Sequence, residues 1–99
     1  IVDGCVQRGS DIAKAVALGA DLVGLGRMMC CALAADGQAG VVRMLELLET
    51  ELSITLGLLG VTSLDQLSPH YVAPAPATVP PAVFSAFPHL DDPTYNPGV

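Results

Sequence analysis

The sequence predicts an α/β fold made of adjacent βα units of a parallel barrel. Apolar residues open the chain at Ile1–Val2 and lead into a glycine-containing loop that ends at Gly9. A helix-length segment follows from Ser10 to Ala20, and a second apolar run, Leu22–Leu25, ends in Gly26-Arg27. A helical crossover between two strands is right-handed in nearly all proteins and makes the strands parallel. Glycine-rich turns at the carboxyl ends of such strands commonly form phosphate sites.

Capping and turn residues predict the helices in chain order. Ser10 or Asp11 is expected to cap the first helix, which Gly19 ends. Met28–Ala35 is expected to form a short helix that closes at an Asp36-Gly37 turn. A long helix over Gln38–Leu59 is then expected to end at Gly60.

The long helix has an apolar stripe at steps of three and four residues. Its members are Val41, Leu45, Leu48, Leu52, Ile54 or Thr55, and Leu59. The charged residues Arg43, Glu46, Glu49 and Glu51 are expected on the solvated side. After it, Ser63-x-x-Gln66 predicts a capping box on a last short helix, Leu64–Leu67.

Composition divides the chain into a folded part, residues 1–72, and a tail, residues 73–99. Seven of the eight prolines lie between Pro74 and Pro97, so the tail is predicted to be extended or disordered. The chain begins inside a predicted strand without Met, and a barrel of this type takes eight strands. We therefore expect the C-terminal end of a longer enzyme.

Charge and cysteine usage exclude several classes of function. The net charge is −6 with only four basic residues, which argues against binding to nucleic acid or to an anionic membrane surface. No uninterrupted apolar run reaches the roughly 18 residues of a membrane span. The three cysteines, Cys5, Cys30 and Cys31, lack metal-ligand spacing. No metal site is expected, and the thiols are expected to be reduced in a cytoplasmic protein.

The residues expected to hold a phosphate lie at the ends of the two predicted strands. Gly4 and Gly26 would let the main chain approach an anion closely. Arg27 offers a permanently charged, forked set of donors. Asp3 could accept a hydrogen bond from a ligand hydroxyl or orient the loop. Taken alone, Gly26-Arg27 is more often an ordinary tight turn with a solvated arginine.

The run IVDGCVQRGSDIAKAVALGADLVGLGR resembles the end of the FMN-dependent α-hydroxy acid dehydrogenase/oxidase family, the glycolate oxidase and lactate dehydrogenase relatives. The family pattern is Asp-Gly-Gly-x-Arg-x-Gly, then Ala-Leu-Gly-Ala, then Gly-Arg. The ending LELLETELSITLGLLGVTSLDQLSPHYV is similar to the C-terminal extension of that family. The resemblance covers residues 1–72. It implies a (β/α)₈ TIM barrel, of which this chain would supply the end of strand 7, strand 8 and the C-terminal helices.

The resemblance implies FMN as the cofactor, with a cofactor-binding site formed by Asp3, Gly4, Cys5, Gln7, Gly26 and Arg27. Two positions depart from the family pattern. Cys5 stands in place of the second glycine, and Gln7 in place of the arginine, with Arg8 directly after it. Arg8 could compensate for the missing charge, although successive residues of an extended loop tend to point in opposite directions. The sequence therefore leaves open whether FMN binding is weakened or altered.

The implied reaction is oxidation of an L-2-hydroxy acid, the small-molecule substrate, to a 2-oxo acid. In that family a histidine upstream takes the hydroxyl proton while the Cα hydrogen reduces the flavin. This chain offers no catalytic residue, because neither His70 nor His89 has a carboxylate placed to orient it. The chain alone is expected to be inactive.

Alternatives remain open. One is another FMN- or phosphate-binding barrel, of the isopentenyl-diphosphate isomerase or glutamate synthase type. Another is a non-catalytic remnant. The sequence also leaves open a homo-oligomer.

Overall fold

The computed structural model describes residues 1–75. Helix α1 (Gly9–Ala17) packs against a longer helix, α2 (Arg27–Leu59). Two short 3₁₀ helices, Leu64–Gln66 and Pro69–Tyr71, follow. Apart from residues 73–75, the predicted tail lies outside the described residues.

The two predicted strands meet as a single parallel bridge between Val2 and Val23. The Val2 N–H donates to the Leu22 carbonyl at 2.9 Å, and the Gly24 N–H donates to the Val2 carbonyl at 2.8 Å. The predicted parallel pairing is therefore present, but residues 1–75 form no longer strand. The pairing stops because the positive φ angles of Gly4 and Cys5 turn the first segment away.

Helix α1 begins earlier than the capping residues predict. Its N-cap is Arg8 rather than Ser10 or Asp11, and Asp11 is the third helical residue. The Asp11 Oδ2 atom accepts from the backbone N–H groups of Arg8, at 3.0 Å, and Gln7, at 3.1 Å. Asp11 thus supports the helix start from inside the helix. The helix ends at Ala17, and Gly19 takes a φ of 100° just beyond it.

Helix α2 is broken at the predicted Asp36-Gly37 turn. Asp36 (φ −154°, ψ 37°) and Gly37 (φ 53°, ψ −137°) are not helical. A Cβ atom at Gly40 would lie 3.1 Å from the Ala32 carbonyl carbon, whereas residues eight apart on a straight helix are about 12 Å apart. The chain therefore turns sharply here. The helix ends as predicted at Gly60, which is left-handed (φ 75°, ψ 24°).

A small core joins the two helices. Its buried side chains are Ala13 and Ala17 of α1, Met44 and Leu48 of α2, and Val61. The predicted stripe on α2 is only partly right, because Leu45 is 49% and Ile54 58% exposed. Met44 and Leu48 lie on one face of α2. At the same helical spacing this face continues to Glu51, which is half-buried rather than solvated as predicted.

The predicted capping box at Ser63 is wrong in its details. Ser63 is the N-cap of a 3₁₀ helix but makes no side-chain capping bond. The Gln66 Oε1 atom instead accepts from the Thr62 N–H at 2.8 Å, one residue earlier than a capping box requires. In a helix of only three residues, the Ser63 and Gln66 side chains do not form the two reciprocal hydrogen bonds of a capping box.

By length and composition alone, α2 could cross a membrane. Within α2, only residues 28–45 form a stretch of 18 with no more than two charged side chains. That stretch contains the Asp36-Gly37 break. No clear membrane span is therefore present in the described part of the chain.

Candidate functional site

One cleft of about 240 Å³ brings together all six residues that the sequence predicts for the cofactor site. We call it the N-terminal cleft. It is lined by Asp3, Gly4, Cys5, Val6, Gln7, Gly24, Gly26, Arg27 and Met28. The parallel bridge at Val2 and Val23 sets the loop of residues 3–7 beside the segment 24–28. Two distant parts of the sequence thus meet through main-chain pairing.

The cleft has two features suited to an anion. Helix α2 begins at Arg27, and the first N–H groups of a helix have no acceptor within it and carry its positive dipole end. Arg27 adds a formal positive charge at the same helix end. Such an arrangement can hold a phosphate through main-chain donors and one guanidinium.

Asp3 and Gly24 approach each other closely at one wall of the cleft. A Cβ atom at Gly24 would lie 3.3 Å from both the Cβ and Cγ atoms of Asp3. Any larger residue at position 24 would therefore displace Asp3. Gly24 is missing from the residues predicted for the site, although a glycine inside a predicted strand signals close approach of another part of the chain. Val6 and Met28 were also not predicted.

Gln7 and Arg8 face different neighbours. Gln7 is half-buried and lines the cleft. The Arg8 guanidinium pairs with the Glu51 carboxylate on α2, with Nε to Oε2 at 3.1 Å and Nη2 to Oε1 at 2.8 Å. Arg8 is absent from the cleft lining. It does not replace the positive charge that Gln7 lacks, which leaves Arg27 as the cation of the lining.

Cys5 has a left-handed backbone, with φ 54°, a conformation that favours glycine. This conformation costs a residue with a side chain about 1–2 kcal/mol. We expect Cys5→Gly to stabilise the intact protein by about 0.5–1 kcal/mol, after allowing for the greater freedom of glycine in the unfolded chain. Urea unfolding measures this difference. Cys30→Gly, at an exposed position inside α2, is the control and should destabilise by up to about 1 kcal/mol. A destabilising Cys5→Gly would contradict this interpretation.

The other candidate groups do not converge on the cleft. His70 is exposed in the 3₁₀ helix Pro69–Tyr71, and His89 lies outside the described residues. Within residues 1–75, no cluster of three or more His, Cys, Asp or Glu side chains could hold a metal ion. Cys5, Cys30 and Cys31 are unpaired and exposed.

Comparison with known proteins supports a shared family. Residues 1–74 match the model of the FMN-dependent dehydrogenase family. The chain is 46% identical over 71 residues to glycolate oxidase 3 of Oryza sativa subsp. indica, covering 72% of this chain and 19% of the relative. It is 47% identical over 68 residues to the L-lactate dehydrogenase (cytochrome) of Saccharomyces cerevisiae, covering 69% of this chain and 12% of the relative.

The chain thus spans a fifth or less of the length of these relatives. No solved structure matches it. The family model covers well over half of the chain, and the predicted resemblance to this family is confirmed. The chain belongs to the FMN-dependent dehydrogenase family, whose barrel fold and FMN cofactor agree with those expected from its sequence.

Proposed function

We propose that this chain is the C-terminal part of the barrel of an FMN-dependent oxidoreductase that oxidises an L-2-hydroxy acid to a 2-oxo acid. Its own contribution would be the site for the FMN phosphate. The observation that carries the proposal is the N-terminal cleft, which unites the six predicted residues at the start of α2. When bound, FMN supplies the electron acceptor for the reaction.

The residues of the cleft fit a phosphate group. Gly26 precedes α2, and a Cβ atom there would meet no atom within 4 Å, so the helix start is open to a ligand. Arg27 would neutralise part of the dianion, with the first-turn N–H groups of α2 as further donors. Asp3 would accept from a ribityl hydroxyl rather than touch the phosphate, because two anions repel each other.

The exposed apolar surface of this chain supports the proposal that it is part of a larger folded domain. Only five hydrophobic side chains are buried in the described part of the chain. Ile1, beside the parallel bridge, is 89% exposed, and Leu58 near the end of α2 is 84% exposed. Further strands and helices of a barrel would cover such side chains, whereas water contact makes them liable to aggregation.

The names of the relatives favour a hydroxy acid as the substrate. They include glycolate oxidases and lactate dehydrogenases, which makes a barrel of the isopentenyl-diphosphate isomerase or glutamate synthase type the weaker candidate. A non-catalytic remnant has some support from Cys5 and Gln7, since both depart from the family pattern. The cleft retains its glycines and Arg27, which favours a catalytically active enzyme over a non-catalytic remnant.

Native mass spectrometry of the protein as its own cell makes it tests the proposal. We expect a chain of about 250 residues or more, the size of a full barrel, with FMN bound. The isolated 99 residues should be poorly soluble and bind no flavin. A natural product of 10.1 kDa without flavin would contradict the proposal, as would micromolar FMN binding by the isolated chain.

Two further properties belong to the same proposal. Three unpaired, exposed thiols suit a reducing compartment such as the cytoplasm. Exposed apolar side chains on α2 could form contacts between the barrel helices of neighbouring subunits in a homo-oligomer. The native mass measurement would detect such an assembly directly.

A further inference from the structure

We infer that Glu51 is a positioning residue for the N-terminal cleft, holding the phosphate loop in place through Arg8 and Gly9. This inference rests on the proposed function. Glu51 lies in the second half of α2, more than 40 residues along the chain from the loop. It is absent from the cleft lining, so it would act only through the residues that it holds.

Both carboxylate oxygens of Glu51 are engaged by the loop end. Oε2 accepts from the Gly9 N–H at 2.9 Å and from Arg8 Nε at 3.1 Å, while Oε1 pairs with Arg8 Nη2 at 2.8 Å. The contact between Arg8 and Glu51 is bidentate, so it fixes the orientation of the guanidinium as well as its distance from the carboxylate. The Gly9 contact satisfies the first N–H group of α1.

The loop has little freedom at this end. Asp11 accepts from the N–H groups of Gln7 and Arg8, and Glu51, on α2, binds Arg8 and Gly9. Gly9 is buried against the backbone of Glu51, where a Cβ atom would lie 2.6 Å from the Glu51 carbonyl carbon. Residues 3–7, which line the cleft, are thus anchored between the parallel bridge and α2. Without the contacts of Glu51, residues 3–7 should move away from the start of α2.

The test compares FMN with riboflavin, which lacks the phosphate, as ligands of the intact apoprotein. In Glu51→Gln the amide oxygen can still accept from Gly9, but the charged pairing with Arg8 is lost. We expect FMN affinity to fall about threefold to tenfold, with riboflavin affinity unchanged. Arg8→Gln should reproduce the loss, and the double variant should add little to it. Glu46→Gln is the matched control, because Glu46 pairs with Arg43 on the exposed side of α2, and it should change neither affinity.

Unchanged FMN affinity in Glu51→Gln would overturn the inference, as would an equal loss for FMN and riboflavin, which indicates a merely structural role. The Arg27→Ala variant distinguishes failure of the positioning role of Glu51 from failure of the proposed function. If Arg27→Ala weakens FMN binding and Glu51→Gln does not, only the positioning role is wrong. If neither variant weakens FMN binding, the phosphate site itself is wrong.

Discussion

Arg27→Ala is expected to weaken FMN binding to the intact protein by about 1.5–3 kcal/mol, or roughly tenfold to 150-fold. Arg27 is the cation of the cleft lining, and Gln7 and Arg8 supply no second charge there. Removing it leaves a dianion that uncharged donors alone must hold. Fluorescence titration of the apoprotein with FMN measures the change.

Two variants make the Arg27 result specific. Arg27→Lys keeps the charge but loses the forked geometry, so its FMN affinity should fall between those of Arg27→Ala and the parent protein. Arg43→Ala removes an exposed arginine from the same helix, where it pairs with Glu46 at 3.0 Å, and should leave FMN affinity unchanged. An Arg27→Ala variant that binds FMN as tightly as the parent would contradict the phosphate site.

Gly9→Ala is expected to destabilise the intact protein by about 1–3 kcal/mol or more. The added Cβ atom would lie 2.6 Å from the Glu51 carbonyl carbon and 2.7 Å from the Glu51 Cβ atom, and would also meet the Leu52 nitrogen. These are mainly backbone atoms, so α1 must move away from α2 to make room. A lower midpoint of urea unfolding is the measurement.

Gly57→Ala provides the matched control for Gly9→Ala. Gly57 also lies in a helix, but a Cβ atom there would meet no atom within 4 Å. Its replacement should stabilise the protein by about 0.5–1 kcal/mol, because alanine favours the helix. The two glycine substitutions should therefore have opposite signs. Similar midpoints for both would show that α1 does not pack on α2 at Gly9.

Local signals in the sequence predicted much of the fold. Asp36-Gly37 is a strong turn pair and interrupts α2 where expected, and Gly60 ends the helix in the left-handed conformation that glycine favours. The six residues that the sequence predicts for the cofactor site also line one cleft. Their convergence depends on parallel pairing, which follows from a short strand–helix–strand connection.

The features that the sequence did not predict depend on partners far along the chain. Ser10 and Asp11 are good capping residues in isolation, yet α1 starts at Gly9, whose N–H donates to Glu51, 42 residues away. The apolar stripe of the long helix predicts Glu51 on the solvated face, where a glutamate usually lies. The strand predicted at Leu22–Leu25 pairs at one residue only, because the Gly4 and Cys5 turn removes its partner.

The Val2–Val23 bridge also bears on how such a site could change during evolution. Main-chain hydrogen bonds between Val2, Leu22 and Gly24 bring the two walls of the cleft together, and these bonds do not depend on side-chain identity. Apolar residues at the bridge could therefore be exchanged while the cleft keeps its form. Changes in ligand preference would instead arise at the positions that line the cleft, and Cys5 and Gln7 are two such positions in this chain.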